Sequence, residues 1–160
     1  MDIEAIAIEK DPETQVILGH AGFIKTAEDL YEAMANAAPY AKFGIAFAEA
    51  SGKRLVRTEG NDDSLAKMAE RNMLRIGAGH SFIIMFKGAF PITVLNGIKA
   101  VNEVSSVYFA TANQVQVLLC KTDQGSAIIG IVDGNDAGAA ESPEDIQERR
   151  NLLRKLGYKK

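Results

Sequence analysis

Phe82-Ile83-Ile84-Met85-Phe86 is an unbroken apolar run, and a strand made from it has nothing to show water on either face. It predicts a central strand buried on both sides, so its sheet needs cover above and below. Either helices supply both covers, or a second subunit supplies one of them. Directly before it stands Gly77-Ala78-Gly79-His80-Ser81. Glycine carries no Cβ, so Gly77 and Gly79 can take positive φ and leave amides facing open space. The segment therefore sets an imidazole at the mouth of the buried strand. A neutral imidazole near pH 7 serves as nucleophile, base or ligand. The plainer alternative is that Gly77 caps a helix, Gly79 completes the turn and His80 only hydrogen-bonds locally.

On the N-terminal side, residues 3–8 and 15–18 read as short strands joined by a turn containing Asp11-Pro12. Thr26 reads as a helix N-cap, followed by Leu30, Tyr31, Met34 and Ala38 at helical spacing and closed by Pro39. Large Phe43, Ile45 and Phe47 alternate with small Gly44, Ala46 and Ala48. That predicts a strand with one bulky face and one face that lets a neighbour come close. Ser51-Gly52 turns it into a hairpin partner at 54–58. Asn61-Asp62-Asp63 opens a helix whose stripe is Leu65, Met68, Ala69, Met73 and Ile76.

Beyond the central strand, Pro91 starts a helix with Ile92, Leu95, Ile98 and Val101 inward. Three strands follow, at 107–110, 115–120 and 127–132, the last two joined at Asp123-Gln124-Gly125-Ser126. Ser142-Pro143-Glu144-Asp145 opens a final helix expected to turn Ile146, Leu153 and Leu156 inward. The order β-β-α-β-β-α-β-α-β-β-β-α predicts one α+β domain over 1–160, a mixed sheet packed against about four helices, with a three-layer α/β arrangement as the alternative.

The chain has 160 residues, enough for a sizeable core, with 47% hydrophobic and 24% charged residues and a net charge of -3. An acidic balance argues against nucleic acid as a partner, because phosphate tracking calls for a basic surplus. The one cysteine, Cys120, lies in an apolar run and has no partner for a disulfide. No apolar stretch approaches membrane-spanning length and no secretory leader is evident, so a cytoplasmic protein away from membranes is expected.

The P-loop, protein-kinase, zinc-protease and paired-cysteine patterns are all missing, and Asp133-Gly134-Asn135-Asp136 lacks EF-hand spacing, so no metal site is expected. What remains are polar residues at strand ends and tight turns. Lys53 and Arg57 can converge on a phosphate, or they form a charged edge hairpin. Asp62 can accept from ribose hydroxyls, or with Asn61 it caps a helix. Asn96 sits in an otherwise apolar helix, where exposure is the default. Asn113 can meet an adenine edge or turn the chain, and Asp133 ends a strand where ligands often bind, or simply forms the turn there.

Six segments in order carry a resemblance over nearly the whole chain: Ser51-Gly52-Lys53-Arg54-Leu55-Val56-Arg57, Gly60-Asn61-Asp62, Gly79-His80-Ser81-Phe82-Ile83-Ile84, Pro91-Ile92-Thr93-Val94-Leu95-Asn96, Ala110-Thr111-Ala112-Asn113 and Val132-Asp133-Gly134. Together they resemble the adenosine-specific kinase family of archaea and bacteria. The resemblance implies binding of adenosine or AMP rather than ADP or ATP, and a phosphorylated histidine, which falls on His80. It implies ligand contacts among Lys53, Arg57, Asn61, Asp62, Gly79, Ser81, Asn96, Asn113 and Asp133. This sequence departs from the family pattern at Phe109, at Gln114 and at Gly125-Ser126-Ala127, a turn without the arginine often found there. The chemistry implied is an adenosine/AMP-binding phosphotransferase; the rival is a non-catalytic nucleoside-sensing module. A homo-oligomer is expected either way, a trimer being one candidate. No cofactor is specified.

Overall fold

The computed structural model describes residues 2–160. Its elements are β1 (Asp2–Ala7), β2 (Gln15–Ala21), α1 (Thr26–Ala37), β3 (Lys42–Ala48), β4 (Val56–Gly60), α2 (Asp63–Ile76), β5 (Ser81–Lys87), α3 (Pro91–Lys99), β6 (Val104–Thr111), β7 (Val115–Lys121), β8 (Ser126–Asp133) and α4 (Pro143–Lys155). Kind and order follow the sequence reading at every element. The α+β class holds, with one refinement. Instead of one mixed sheet there are two, ordered β4-β3-β5-β2-β6 and β1-β7-β8, and every pairing is antiparallel.

The unbroken apolar run is β5, at the centre of the larger sheet and buried from Ser81 to Phe86. Both of its covers come from this chain. Phe82, Ile84 and Phe86 join Phe43, Ile45 and Phe47 under Leu30 and Met34 of α1 and Val94 and Ile98 of α3. Ile83 and Met85 face the other way, against Leu65, Ala69 and Met73 of α2 and against Val117 and Leu119 of the smaller sheet. The smaller sheet thus serves as the rest of the second cover, and the stack has three layers.

The bulky-and-small alternation of β3 has its predicted meaning. A Cβ on Gly44 would lie 2.1 Å from the backbone nitrogen of Ala66, so the missing side chain is what lets α2 rest on the sheet. Asp62 caps that helix by accepting from the Leu65 amide at 3.0 Å, and Gly77 ends it in the left-handed conformation at φ 63°.

Three local expectations are corrected. In α3, Ile92 is exposed and not inward, and Val94 takes the core position beside Ile98, while the turn at Asp11-Pro12 stands as read and joins β1 of the smaller sheet, beside β7, to β2 of the larger. Thr26 is the first helical residue and not the N-cap, its hydroxyl donating to the Phe23 carbonyl at 2.5 Å. In α4 no residue is buried; Ile146 and Leu153 are half-buried and Leu156 is exposed. A Ser142–Asp145 capping box holds the helix instead of the core.

Candidate functional site

Antiparallel pairing sets the end of β2 beside the start of β5, with His20 opposite Ser81. The turn 77–80 arrives at the same corner. The His80 amide donates to the Ala48 carbonyl at 2.7 Å and its carbonyl accepts from the Ala21 amide at 2.8 Å, so its backbone clasps the ends of β3 and β2. To do so His80 takes φ 60°, one of two positive-φ non-glycine residues among those described, with Arg54 at 53°. Left-handed backbone costs an L-residue about 1–2 kcal/mol, a strain characteristic of functional positions.

The His80 ring is half-buried and makes no hydrogen bond among the described residues. It lies nearly parallel to Phe47 at 6.0 Å and edge-on to His20 at 5.9 Å. A Cβ on Gly22 would sit 3.5 Å from Nδ1, so glycine there keeps the approach to that nitrogen open. The ring opens into a cavity of about 510 Å³ bordered by Phe23, Ile24, Glu49, Lys53 and Arg57. That is within the usual range for small-molecule sites. Phe23 and Ile24, 56% and 61% exposed, give its rim an apolar wall.

Charge in this cavity is unevenly available. Arg57 donates from Nε and a terminal nitrogen to one Glu49 oxygen at 3.0 and 2.8 Å, and that guanidinium holds the Glu49 carboxyl below its ordinary range. Lys53 makes no ion pair among the described residues. His20 donates to or accepts from the Ser105 hydroxyl at 2.7 Å. Burial, with the charge of His80 as a lesser cause, keeps its imidazole below the ordinary value. No group of three His, Cys, Asp or Glu able to hold a metal occurs among the described residues.

Of the residues singled out from sequence, His80, Lys53 and Arg57 meet at this cavity. Gly79 backs it, its position packed on Ala50 and facing a neighbouring cavity. The rest have other work. The Ser81 hydroxyl is buried and donates to the Ala78 carbonyl at 2.5 Å. Asn61 bridges the Phe43 amide and the Ala41 carbonyl. Asp62 is spent on the α2 cap, and the 14-residue helix separates it from the His80 turn by about 21 Å. Asn96 is exposed on α3. Asn113 donates to Asp133 at 3.1 Å, at the end of the β7–β8 pair away from the 122–125 turn.

The sequence reading missed Glu49, Phe23, Ile24 and His20. Ala21-Gly22-Phe23-Ile24 did carry a signal, an apolar pair beyond a glycine at a strand end. Glu49 and His20 become visible only once strand pairing is known.

Nothing among the curated proteins is significantly similar to the chain. Among solved structures, the crystal structure of the PH1918 protein from Pyrococcus horikoshii OT3 shares 45% identity, with a TM-score of 0.95, over 99% of this chain and 98% of that one. The family described as "Adenosine specific kinase" matches residues 6–159. With nearly its whole length matched, the chain belongs to the adenosine-specific kinase family.

Proposed function

We propose that the cavity beside His80 binds adenosine or AMP and that His80 relays a phosphoryl group to the ribose hydroxyl. The observation that supports this most is the ring itself: hydrogen-bond-free, half-buried, held by strained backbone, with Nδ1 facing the space left by Gly22. A neutral imidazole nitrogen attacks the donor's terminal phosphorus. A P–N bond forms, the P–O bond to the leaving group breaks, and the ring proton departs with that group. The 5′-hydroxyl of adenosine then attacks the phosphorus, the P–N bond breaks, and the hydroxyl proton returns to the ring nitrogen. Such transfers depend mainly on positioning and charge stabilisation. Lys53 is free to supply charge, Arg57 can swing from Glu49, and Phe23 and Ile24 offer a face for the base.

The test is AMP formation by wild type and His80→Ala given adenosine and candidate phosphoryl donors, with acid-labile phosphate on the protein as a second readout. His80→Ala is expected to lose both. Equal product from the two proteins overturns the relay.

A second reading, a nucleoside-binding module without turnover, is favoured by one observation. Arg57 is already neutralised by Glu49, leaving Lys53 as the cavity's cation without an ion pair among the described residues. Binding of adenosine by calorimetry, with neither AMP nor phosphoprotein formed, selects it. In both readings the protein works in the cytoplasm, apart from nucleic acid, as a homo-oligomer. The outer face of the smaller sheet, with exposed Ile3, Ile129 and Val132, is the surface for self-association. A monomer mass in light scattering at micromolar concentration removes the oligomer.

A further inference from the structure

His20, the other of the chain's two histidines, has no part in the preceding reading, yet β2 and β6 are shaped around it. Their ladder shifts register between Leu18 and Gly19 and again between His20 and Ala21, and irregularities of this kind re-aim a side chain beside a site. Gly19 permits the shift, because a Cβ there would lie 2.6 Å from the Ser106 carbonyl oxygen. The half-buried His20 ring stands edge-on to His80, with ring centroids 5.9 Å apart.

Ser105 decides which nitrogen of that ring carries the proton. Its hydroxyl donates to the His20 carbonyl at 3.2 Å and lies 2.7 Å from His20 Nδ1. A hydroxyl has one proton to give. With that proton on the carbonyl, Nδ1 must donate to the Ser105 oxygen, which leaves Nε2 as a bare lone pair. Nε2 has no partner among the described residues. Burial first, and the charge of His80 second, hold the ring below its ordinary value of 6.5. His80 is the one charged group acting on it among the described residues. His20 is therefore neutral at pH 7 with its accepting nitrogen open, the form a proton carrier needs.

We propose that His20 is a positioning residue that acts through His80, taking and returning the proton of the His80 ring during phosphoryl relay. The inference rests on the relay given above. As the P–N bond forms on one His80 nitrogen, the proton on the other moves to His20 Nε2 across a gap that one water spans, and then leaves with the departing group. When the nucleoside hydroxyl attacks, the P–N bond breaks and its electron pair stays on His80. The hydroxyl proton comes back to the His80 ring by the same route, and both imidazoles end neutral.

The test uses phosphoramidate, a phosphoryl donor whose leaving group is ammonia, on the full chain, following acid-labile phosphate on the protein against time. His20→Ala is expected to slow labelling about tenfold or more. It should regain rate as 2,6-lutidine is added, a base too hindered to take the phosphate itself, while wild type does not respond. His20→Gln, which keeps a donor for Ser105 but no base, is expected to be equally slow. Nitrogen NMR at pH 7.5 reads the premise separately, and His20 is expected with its proton on Nδ1. Wild-type rates in both variants, no effect of lutidine on His20→Ala, or a proton found on Nε2 overturns the inference and leaves the relay standing. Wild type that takes up no acid-labile phosphate overturns the relay, and this inference with it.

Discussion

His80 shows how a backbone clasp can hold one residue against its own conformational preference. Its φ of 60° suits glycine better than histidine, so His80→Gly is expected to abolish phosphoryl relay while raising unfolding free energy by about 0.5 kcal/mol. Urea unfolding checks this; a loss above about 1 kcal/mol would mean that stacking on Phe47 outweighs the strain. Two titrating neighbours add to the acid sensitivity that the other lowered carboxyls, Asp11, Asp29, Asp62, Glu141 and Asp145, also confer. Arg57 lowers the Glu49 carboxyl, so that ion pair contributes fully above its ordinary value of 4.5 and is lost as pH falls through the lowered one. His20 is also lowered, from 6.5, so the folded state is favoured above that pH and loses ground as pH falls toward the lowered value. Thermal melts from pH 7.5 to 4 are expected to decline in two stages. His20→Asn removes the upper one, and Arg57→Gln weakens the lower one.

The elements rest on a few contacts that leave no room for substitution. Gly44→Ala would drive a methyl into the α2 backbone at 2.1 Å, where a helix and not a flexible side chain must yield. The expected loss is about 3 kcal/mol, read as a lowered urea midpoint with unchanged m-value. Asn72 is buried and both donates to the Glu9 carbonyl at 2.7 Å and accepts from the Glu9 amide at 2.8 Å. It ties the chain beyond β1 to α2, and Asn72→Leu is expected to cost about 2–3 kcal/mol through the orphaned backbone groups. Gly44 was legible because alternation of large and small side chains is a local pattern. Asn72 was not, because its partner stands 63 residues away and an asparagine in a helix looks like any exposed one. The same divide runs through the site: His80, Lys53 and Arg57 sit in short segments with their own turn signals, whereas Glu49 and His20 gain meaning from strands brought together over long separations. The pairing of β1 with β7 was not legible for the same reason, since the two strands stand far apart in the sequence and only the tertiary structure brings them together.

Across the whole molecule the layers account for themselves without α4. That helix buries no residue and is held by its capping box and the Arg149–Glu141 pair. Deleting 142–160 is therefore expected to lower the melting temperature by no more than about 3 °C, the equivalent of about 1 kcal/mol for a domain this size. A larger drop would show that α4 stabilises the fold through a neighbouring copy, which light scattering on the shortened chain would reveal. No described helix is long and apolar enough to cross a membrane.

The division into two sheets has a mechanical consequence. No backbone ladder joins β1-β7-β8 to the larger sheet among the described residues, so greasy, direction-free contact does most to set how far apart they stand. Thr122 to Ala127 and the hairpin carrying Lys53 lie on opposite banks of that seam. A molecule lodged across it would work as a brace, and slowed amide exchange along β8 would announce it.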